Sequence, residues 1–227
     1  MARRVVLIVL GGVLAAIGVL AAIAGGALMA LFGSNNTLDS GVQHVSTPTQ
    51  ALVSPASSIQ GTSGAQTVLG SVRLRITATP AAAGHQLFLG IGPAGAVDRY
   101  LRGASYDVAT DVSVAPFHLT LARHRGTATP PPPGSQSFWV AKASGAHPTL
   151  TWTVTSGSYR VVAMNTDAAA PVAFTGGLAL TIPHSFGIGI GLLIGGIVLI
   201  LIGIVLIVLG ARARPQSHPA PGPTPGS

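Results

Sequence analysis

The sequence predicts a mainly β protein, in which an antiparallel β-sandwich or jelly-roll-like domain outside the cytoplasm is flanked by two transmembrane α-helices. Two uncharged apolar runs, 5–33 and 185–210, each exceed the roughly 18 residues with which a helix can cross a bilayer. Between the runs, short segments alternate apolar and polar side chains and are separated by turn residues. The stretch between the two helices must therefore lie on one side of a membrane.

The first helix is predicted over 5–33, with 1–4 as a cytoplasmic N-terminus, because Arg3 and Arg4 precede the run and the positive-inside rule keeps such residues in the cytoplasm. A cleaved signal peptide is the alternative, supported by an A-x-A-like sequence at 22–24. The apolar core of a signal peptide is only about 7–15 residues long, so the length of this run favours an uncleaved signal anchor.

The second helix is predicted over 185–210, and the Pro-rich segment 211–227 is predicted to be a disordered cytoplasmic tail. Both termini are then cytoplasmic, at the plasma membrane, with 34–183 outside. Both helices repeat small residues at intervals of seven, which lets helix backbones approach closely. The glycines predicted to pack are Gly11, Gly18, Gly25, Gly189, Gly196 and Gly203. The repeat suits packing within one chain or in a homo-oligomer, and glycine is also common in membrane helices generally.

The region between the helices divides into an arm and a folded domain. Residues 34–70 are polar and rich in turn residues, which predicts an extended arm with one or two short strands. Regular alternation then predicts the sandwich over 71–183. A short helix is predicted over 96–102, in which Asp98 and Arg102 are spaced as a surface ion pair.

The clearest local pattern in the domain predicts a β-hairpin. Threonines alternate with apolar residues up to Val154, Ser156-Gly157 has the composition of a two-residue turn, and alternation resumes afterwards. Such a hairpin would pair Trp152 with Val161 on one face of a sheet.

Composition argues against several functions. The net charge is +7, but arginines flank the apolar runs and no basic cluster with interleaved aromatic residues lies between them, which argues against nucleic-acid binding. The absence of cysteine excludes disulfides, thiolate nucleophiles and cysteine-based zinc sites. The apolar runs contain no ionisable or amide side chain of the kind that marks ion paths.

Two sequence patterns could indicate a cofactor or metal site, and the residues around each argue against it. Residues 90–95 match G-x-G-x-x-G, but the helix after them is too short for a βαβ crossover, so we interpret them as a Gly-rich turn and predict no cofactor. Asp107 and Asp111 lack the spacing of a calcium loop and are interpreted as solvated carboxylates, so no metal is predicted either. No catalytic motif is present, and the chain is not predicted to be an enzyme.

A contact surface is predicted around Phe138 and Trp139, beside a Pro-rich loop. Adjacent residues on a strand point to opposite faces, and Trp139 is assigned to the outer one, where exposed aromatic residues favour binding. The basic residues expected to complete this surface are Arg123, Arg125 and Lys142. An envelope polymer or a membrane or extracellular protein would be the partner. The alternative is that the arm 34–70 folds over the outer aromatic ring and buries it.

Several short sequence segments between the apolar runs resemble those of a known protein family. They are 97–101 (VDRYL), 138–141 (FWVA) and 161–165 (VVAMN), together with Ser144, Gly145, Leu150, Trp152, Gly157 and Tyr159. The chain resembles an uncharacterised family of two-span membrane proteins of high-GC Gram-positive bacteria. The resemblance implies an extracytoplasmic β domain between two helices and implies no activity or site.

The sequence therefore predicts a two-pass plasma-membrane protein that displays a β-sandwich outward for binding or cell-envelope interaction. Its predicted partners are the lipid bilayer and an unidentified envelope component. Two alternatives stay open: an extracytoplasmic hydrolase with a Ser/His/Asp site outside the known motifs, and a small oligomeric channel-like subunit.

Overall fold

The computed structural model describes residues 2–59, 71–114 and 117–212, and the chain divides into two compact units. One unit comprises Met1–Leu31 and Phe186–Ser227, and the other comprises Phe32–Ser185. Most of the predicted tail, 213–227, and the end of the predicted arm, 60–70, lie outside the described residues.

The first unit is built from two long helices, α1 (Ala2–Phe32) and α3 (Ser185–Arg212). Their apolar residues extend all round each helix, which is typical of a helix surrounded by lipid or protein rather than water. Within the described part of the chain, these are the helices long and apolar enough to cross a membrane.

The second unit, called here the β domain, contains two sheets. Within the described residues, sheet A has five strands: β1 (Thr37–Asp39), β2 (Gln43–Thr47), β5 (Arg73–Pro80), β10 (Thr149–Thr153) and β12 (Val172–Thr181). Its order is β1-β12-β5-β10, with β2 also pairing with β12. Sheet A alternates as an antiparallel sheet with one solvated face should: on β5, Arg75 and Thr77 are exposed, whereas Ile76 and Ala78 are buried.

Sheet B has seven strands in the described part of the chain: β3 (Ala51–Val53), β4 (Ser57–Ile59), β6 (Leu87–Pro93), β7 (Tyr106–Val114), β8 (Phe117–His124), β9 (Ala141–Gly145) and β11 (Gly157–Asn165). Its order is β8-β7-β3-β11-β6-β9, with β4 also on β11. A short helix, α2 (Ala94–Tyr100), follows β6, and a 3-10 turn occupies Pro133–Ser135. Strand β6 is buried along both faces, because sheet A covers one face while α2 and the 133–139 segment cover the other.

The predicted sandwich is present; sheet A is antiparallel as predicted, whereas sheet B is mixed, since β3 and β7 pair in parallel. Residues 34–59, predicted as part of an arm, contribute four strands to the two sheets. The chain enters sheet A with β1 and β2 and crosses to sheet B with β3. Strand β3 lies between β7 and β11, so this segment forms part of the sandwich itself.

The predicted hairpin is wrong. Strands β10 and β11 belong to different sheets, and Trp152 pairs with Leu74 on β5 rather than with Val161. The chain crosses from one sheet to the other after β10, and the rings of Trp152 and Tyr159 meet with centroids 5.0 Å apart. Alternation identified both strands correctly but carries no information about which neighbour a strand takes.

The predicted short helix exists but lies earlier, over Ala94–Tyr100. The predicted ion pair between Asp98 and Arg102 is also wrong, because Asp98 Oδ1 pairs with Nε of Arg160 on β11 at 2.9 Å. Arg102 falls beyond the end of the helix, so the spacing rule for helical pairs does not apply to it.

Candidate functional site

The inner faces of the two sheets enclose an apolar cavity of about 210 Å³. Sheet A contributes Val45, Ile76 and Phe174 to its wall, and sheet B contributes Leu52, Leu119 and Val161. An engineered apolar cavity of about 150 Å³ already stays dry and binds benzene, so this volume is sufficient for a small apolar ligand. It is below the roughly 300–1,000 Å³ of pockets that hold drug-sized molecules.

The cavity exists because small residues occupy inner-face positions on both sheets. On β12 the wall includes Gly176, where an added Cβ would lie 2.5 Å from the Thr77 carbonyl oxygen, so the close approach of the two strands leaves no room for a side chain. On sheet B the wall includes Ala109 and Ala163, both buried. Larger residues at Ala109 and Ala163 would fill the space between the sheets, as in a close-packed core.

The polar side chains in the wall bond to the backbone. Ser54 Oγ accepts a hydrogen bond from Val161 N at 2.9 Å and donates to the Pro55 carbonyl oxygen at 3.0 Å. Ser40 Oγ likewise accepts from Leu178 N at 2.9 Å and donates to the Gly41 carbonyl oxygen. Among the described residues, no charged side chain lines the cavity. The site therefore fits an uncharged apolar ligand and provides no ionic anchor for one.

The predicted contact surface is wrong about Trp139. Its side chain is only 9% exposed, its Nε1 donates to the Pro133 carbonyl oxygen at 2.8 Å, and its ring centroid lies 5.1 Å from that of Phe88. The alternation rule failed because β9 begins only at Ala141, so Trp139 is not in a strand. Phe138 is half-buried against Tyr100, and Val140 is the exposed neighbour.

Trp139 is covered by the Pro-rich loop and the end of α2. The ring lies under Pro133 and against Tyr100 at the end of α2, on the face of sheet B that points away from sheet A. Tyr100 itself donates from its hydroxyl to the Pro131 carbonyl oxygen at 2.7 Å, and burial raises the pKa of Tyr100 to about 12. The Pro-rich loop thus forms part of a second apolar layer and is not a free recognition segment.

The glycines of the G-x-G-x-x-G sequence have a packing role around the same ring. A Cβ added at Gly90 would lie 2.8 Å from Trp139 Cε3, and one at Gly92 would lie 3.1 Å from the same atom. Both glycines lie on β6, beneath the indole. Their lack of side chains makes space for Trp139 against sheet B, which explains the sequence pattern without a nucleotide.

The basic residues predicted for the contact surface are dispersed. Arg123 lies on β8 and Lys142 on β9, which are the opposite edges of sheet B, and Arg125 is an exposed residue just beyond β8. Lys142 Nζ donates to the Gly134 carbonyl oxygen at 2.8 Å, close to Trp139, whereas Arg123 pairs with Asp107. These side chains do not converge on one anionic partner.

Asp107 is fully buried, which contradicts its interpretation as a solvated carboxylate. Its Oδ1 accepts from Arg123 Nε at 2.9 Å, and its Oδ2 accepts from Arg123 Nη2 at 3.1 Å and from Thr47 Oγ1 at 2.6 Å. The hydrogen bonds from Arg123 are the main reason that the pKa of Asp107 lies below its usual value. Thr47 belongs to sheet A and Asp107 to sheet B, so the carboxylate ties the two sheets together.

We expect Asp107→Ala to lower the free energy of unfolding at pH 7 by about 1–3 kcal/mol, because the buried Thr47 hydroxyl loses its carboxylate acceptor and keeps only its contact with Thr49 Oγ1. A carboxyl group with a lowered pKa stabilises the fold above its unfolded pKa, near 3.9, and that contribution is lost as the pH falls through the folded value. The difference from wild type should therefore shrink below about pH 4. Asp111→Ala, at an exposed position on β7, is the control and should change stability by less than about 0.5 kcal/mol. Thermal unfolding followed by tryptophan fluorescence measures both, and equal losses would contradict this role.

The described residues contain no group of three or more His, Asp or Glu side chains that could hold a metal ion. Over the same ranges, no serine hydroxyl is hydrogen-bonded to a histidine ring; His44 and His147 bond instead to the hydroxyls of Thr175 and Thr79.

The predicted helix-packing glycines face each other in antiparallel pairs across α1 and α3. A Cβ added at Gly11, Gly18 or Gly25 would lie 2.5–2.6 Å from the carbonyl oxygen of Gly203, Gly196 or Gly189, respectively. The contact is made within one chain. By contrast, Gly187, Gly191 and Gly195, which form overlapping G-x-x-x-G steps on α3, have nothing within 4 Å of an added Cβ.

Comparison with known proteins finds no matching family model, no matching curated protein and no matching solved structure. The candidate site therefore rests on the geometry of this chain. The apolar cavity was missed from the sequence, although a signal was present: Gly176-Gly177 interrupts an otherwise apolar strand at its centre.

Proposed function

We propose that this chain is a two-pass plasma-membrane protein whose β domain lies outside the cytoplasm and binds an apolar molecule between its sheets. Two helices of sufficient length and apolar character support the membrane assignment. Arg3 and Arg4 before the first helix, with Arg212 and Arg214 at the end of the second, favour cytoplasmic termini. The resemblance to two-span membrane proteins agrees with this arrangement and is part of the same proposal.

The observation that carries the binding function is the apolar cavity. A void of this size costs stability, since each missing contact in a core lowers the free energy of unfolding. A bound molecule would restore those contacts, and apolar walls that contain no charge select an uncharged one. Binding is favoured over hydrolysis because the described residues that line the cavity include no histidine or carboxylate, and the hydroxyls of Ser40 and Ser54 are hydrogen-bonded to the backbone.

A small photoreactive probe tests this function on the full chain in detergent. Phenyl(trifluoromethyl)diazirine is an uncharged apolar molecule built on a benzene ring, so it should enter the cavity and, on illumination, label the peptides that carry Leu52 and Val161. Labelling in the cavity should saturate and be reduced by excess unlabelled benzene derivative. Labelling of α1 and α3, which comes from probe dissolved in the micelle, should not saturate.

Two matched substitutions complete the test. Ala163→Leu places three carbons into the cavity and should lower the saturable labelling at least about tenfold, because the void can no longer hold the probe. Ala122→Leu makes the same change at an exposed position on β8 and should leave it unchanged. Labelling confined to the two helices in wild-type protein would refute the proposed function.

A further inference from the structure

We propose that the ligand of this cavity is the end segment of an acyl chain of a membrane lipid, which reaches it through a rim formed by Leu38, Val42 and Leu178. This inference rests on the proposed function and names its ligand class. It is carried by the position of exposed apolar residues, by chain connectivity and by the chemistry of the cavity wall.

Exposed apolar side chains of the β domain concentrate at one end of the cavity. Among its described side chains, the large exposed apolar ones are Leu38 (41%), Val42 (75%), Leu178 (44%) and Val140 (48%). Leu178 lines the cavity itself, and Val42 belongs to the loop between Ser40 and Gln43, which both line it. Leu38 adjoins Leu178 through the pairing of β1 with β12, so these three exposed apolar side chains are assigned to the rim of the cavity.

Backbone contacts hold this rim together. Leu38 on β1 pairs with Leu180 on β12, which puts Leu38 diagonally next to Leu178 on the same face. The loop after β1 packs directly on β12, because an added Cβ at Gly177 would lie 2.7 Å from the Gly41 carbonyl oxygen. Leu178 N also donates to Ser40 Oγ, so the loop that carries Val42 is fixed beside the cavity.

The rim is also close in sequence to both candidate membrane spans. Leu38 follows the last residue of α1 by six positions, and Leu178 precedes the first residue of α3 by seven. A fully extended chain covers at most about 3.6 Å per residue, so seven residues bridge at most about 25 Å. Exposed apolar side chains that so few residues join to two candidate membrane helices favour hydrocarbon from a bilayer over a solute from water as the occupant.

The chemistry of the wall agrees with a hydrocarbon chain. The cavity offers no charge for a headgroup, so a headgroup would stay outside the rim. Hydrocarbon in a bilayer is already out of water, and its transfer to the cavity therefore gains contacts but no further hydrophobic free energy. We accordingly expect reversible occupancy by lipid rather than permanent extraction of one molecule.

The test uses the full chain in phosphatidylglycerol vesicles that contain a phospholipid with a diazirine near the end of one acyl chain. After illumination, peptides carrying Leu52 and Val161 should be labelled, with labelling of α1 and α3 as the internal standard for reconstitution. Ala163→Leu should lower the ratio of cavity to helix labelling at least about tenfold, as for the small probe.

A pair of surface substitutions tests the rim without altering the core. Val42→Asp places a charge where a chain must pass, and it should lower the ratio of cavity to helix labelling by lipid at least about fivefold. Val140→Asp makes the same change at the exposed apolar position away from the rim and should have no effect. Labelling by lipid that is equal in these two variants would overturn the assigned rim.

The small probe separates failure of this inference from failure of the proposed function. Saturable cavity labelling by the small probe, without labelling by the lipid, would overturn the lipid as ligand and leave a soluble apolar molecule in its place. Absence of cavity labelling by both reagents would overturn the inference and the proposed function together.

Discussion

Trp139→Ala is expected to destabilise the β domain by about 3–5 kcal/mol, the usual cost of removing a large buried aromatic side chain. The indole fills the space between sheet B and the Pro-rich loop, and its loss would uncover Phe88 and leave the Pro133 carbonyl oxygen without its donor. Because Gly90 and Gly92 have no side chains, no neighbour can move in from the sheet to close the cavity. Denaturant unfolding of the full chain, followed by the fluorescence of Trp152, measures the loss.

Two further substitutions make this prediction specific. Val140→Ala changes an exposed neighbour and should cost less than about 0.5 kcal/mol. Trp139→Phe keeps an aromatic ring but loses the hydrogen bond to Pro133, so its effect should lie between the other two. If Trp139→Ala proved as mild as Val140→Ala, the ring would not be part of the core.

The strands of sheet A could be predicted from the sequence because one of their faces meets water. On β5, the charged and hydroxyl side chains of one face made the alternation with Leu74 and Ile76 visible. Strand pairing could not be predicted in the same way. A strand with one buried face shows the same alternation whether the next strand in the sequence is its hydrogen-bonded neighbour or belongs to the opposite sheet. Strand β11 lies in the sheet opposite β10, and alternation could not reveal this.

Sheet B was harder to predict because it is covered on both faces. Strand β6 is apolar nearly throughout, so no alternation of apolar and polar residues distinguishes its two faces. The sequence therefore gives no indication of which face of β6 packs against Trp139. Trp139 belongs to a loop whose path depends on Pro133 and on α2, so its burial is a tertiary property. The buried Asp107 was missed for a similar reason, since Thr47 is sixty positions away in the sequence.

The cavity between the sheets could not be predicted from the sequence for a different reason. Inward-facing residues can be assigned from alternation, but a void is the volume that remains after side chains from many strands have packed. Gly176 and Ala163 are separated in sequence and lie on different sheets, and only the structure shows that both leave space in the same place.

The helix glycines show where sequence periodicity is most informative. Each helix repeats glycine every seven residues, and the two repeats meet in register, with Gly18 against Gly196 at the middle. A period of seven is a property of one helix and does not depend on the rest of the fold. What the sequence left open was whether the contact joins two helices of one chain or of two chains.

Gly196→Ile is expected to separate α1 from α3, whereas Gly195→Ile is not. A Cβ at Gly196 would lie 2.5 Å from the Gly18 carbonyl oxygen and 2.6 Å from Ala22 N, so the helices must move apart. A Cβ added at Gly195 would have nothing within 4 Å, although Gly195 is adjacent to Gly196 in sequence. Gly195→Ile therefore makes the same chemical change without a clash. Overpacking of this kind costs about 1–3 kcal/mol, or roughly a tenfold change in the population of the close-packed pair.

Because the chain has no cysteine, disulfide trapping can measure this separation. An added Cβ at Gly189 would lie 3.5 Å from the Leu28 Cβ, which is within the range of a disulfide, so Leu28→Cys with Gly189→Cys is a suitable reporter one heptad from Gly196. The new Cβ would also lie 2.8 Å from Cγ of the flexible Met29 side chain and 3.0 Å from the Gly25 carbonyl oxygen, so both isoleucine variants are compared with this cysteine pair alone. In membranes, we expect Gly196→Ile to slow formation of the intramolecular disulfide about tenfold and Gly195→Ile to leave its rate unchanged. Equal rates in the two variants would contradict close glycine packing at Gly196. Disulfide-linked dimers in place of the intramolecular bond would show that the helices pair between chains.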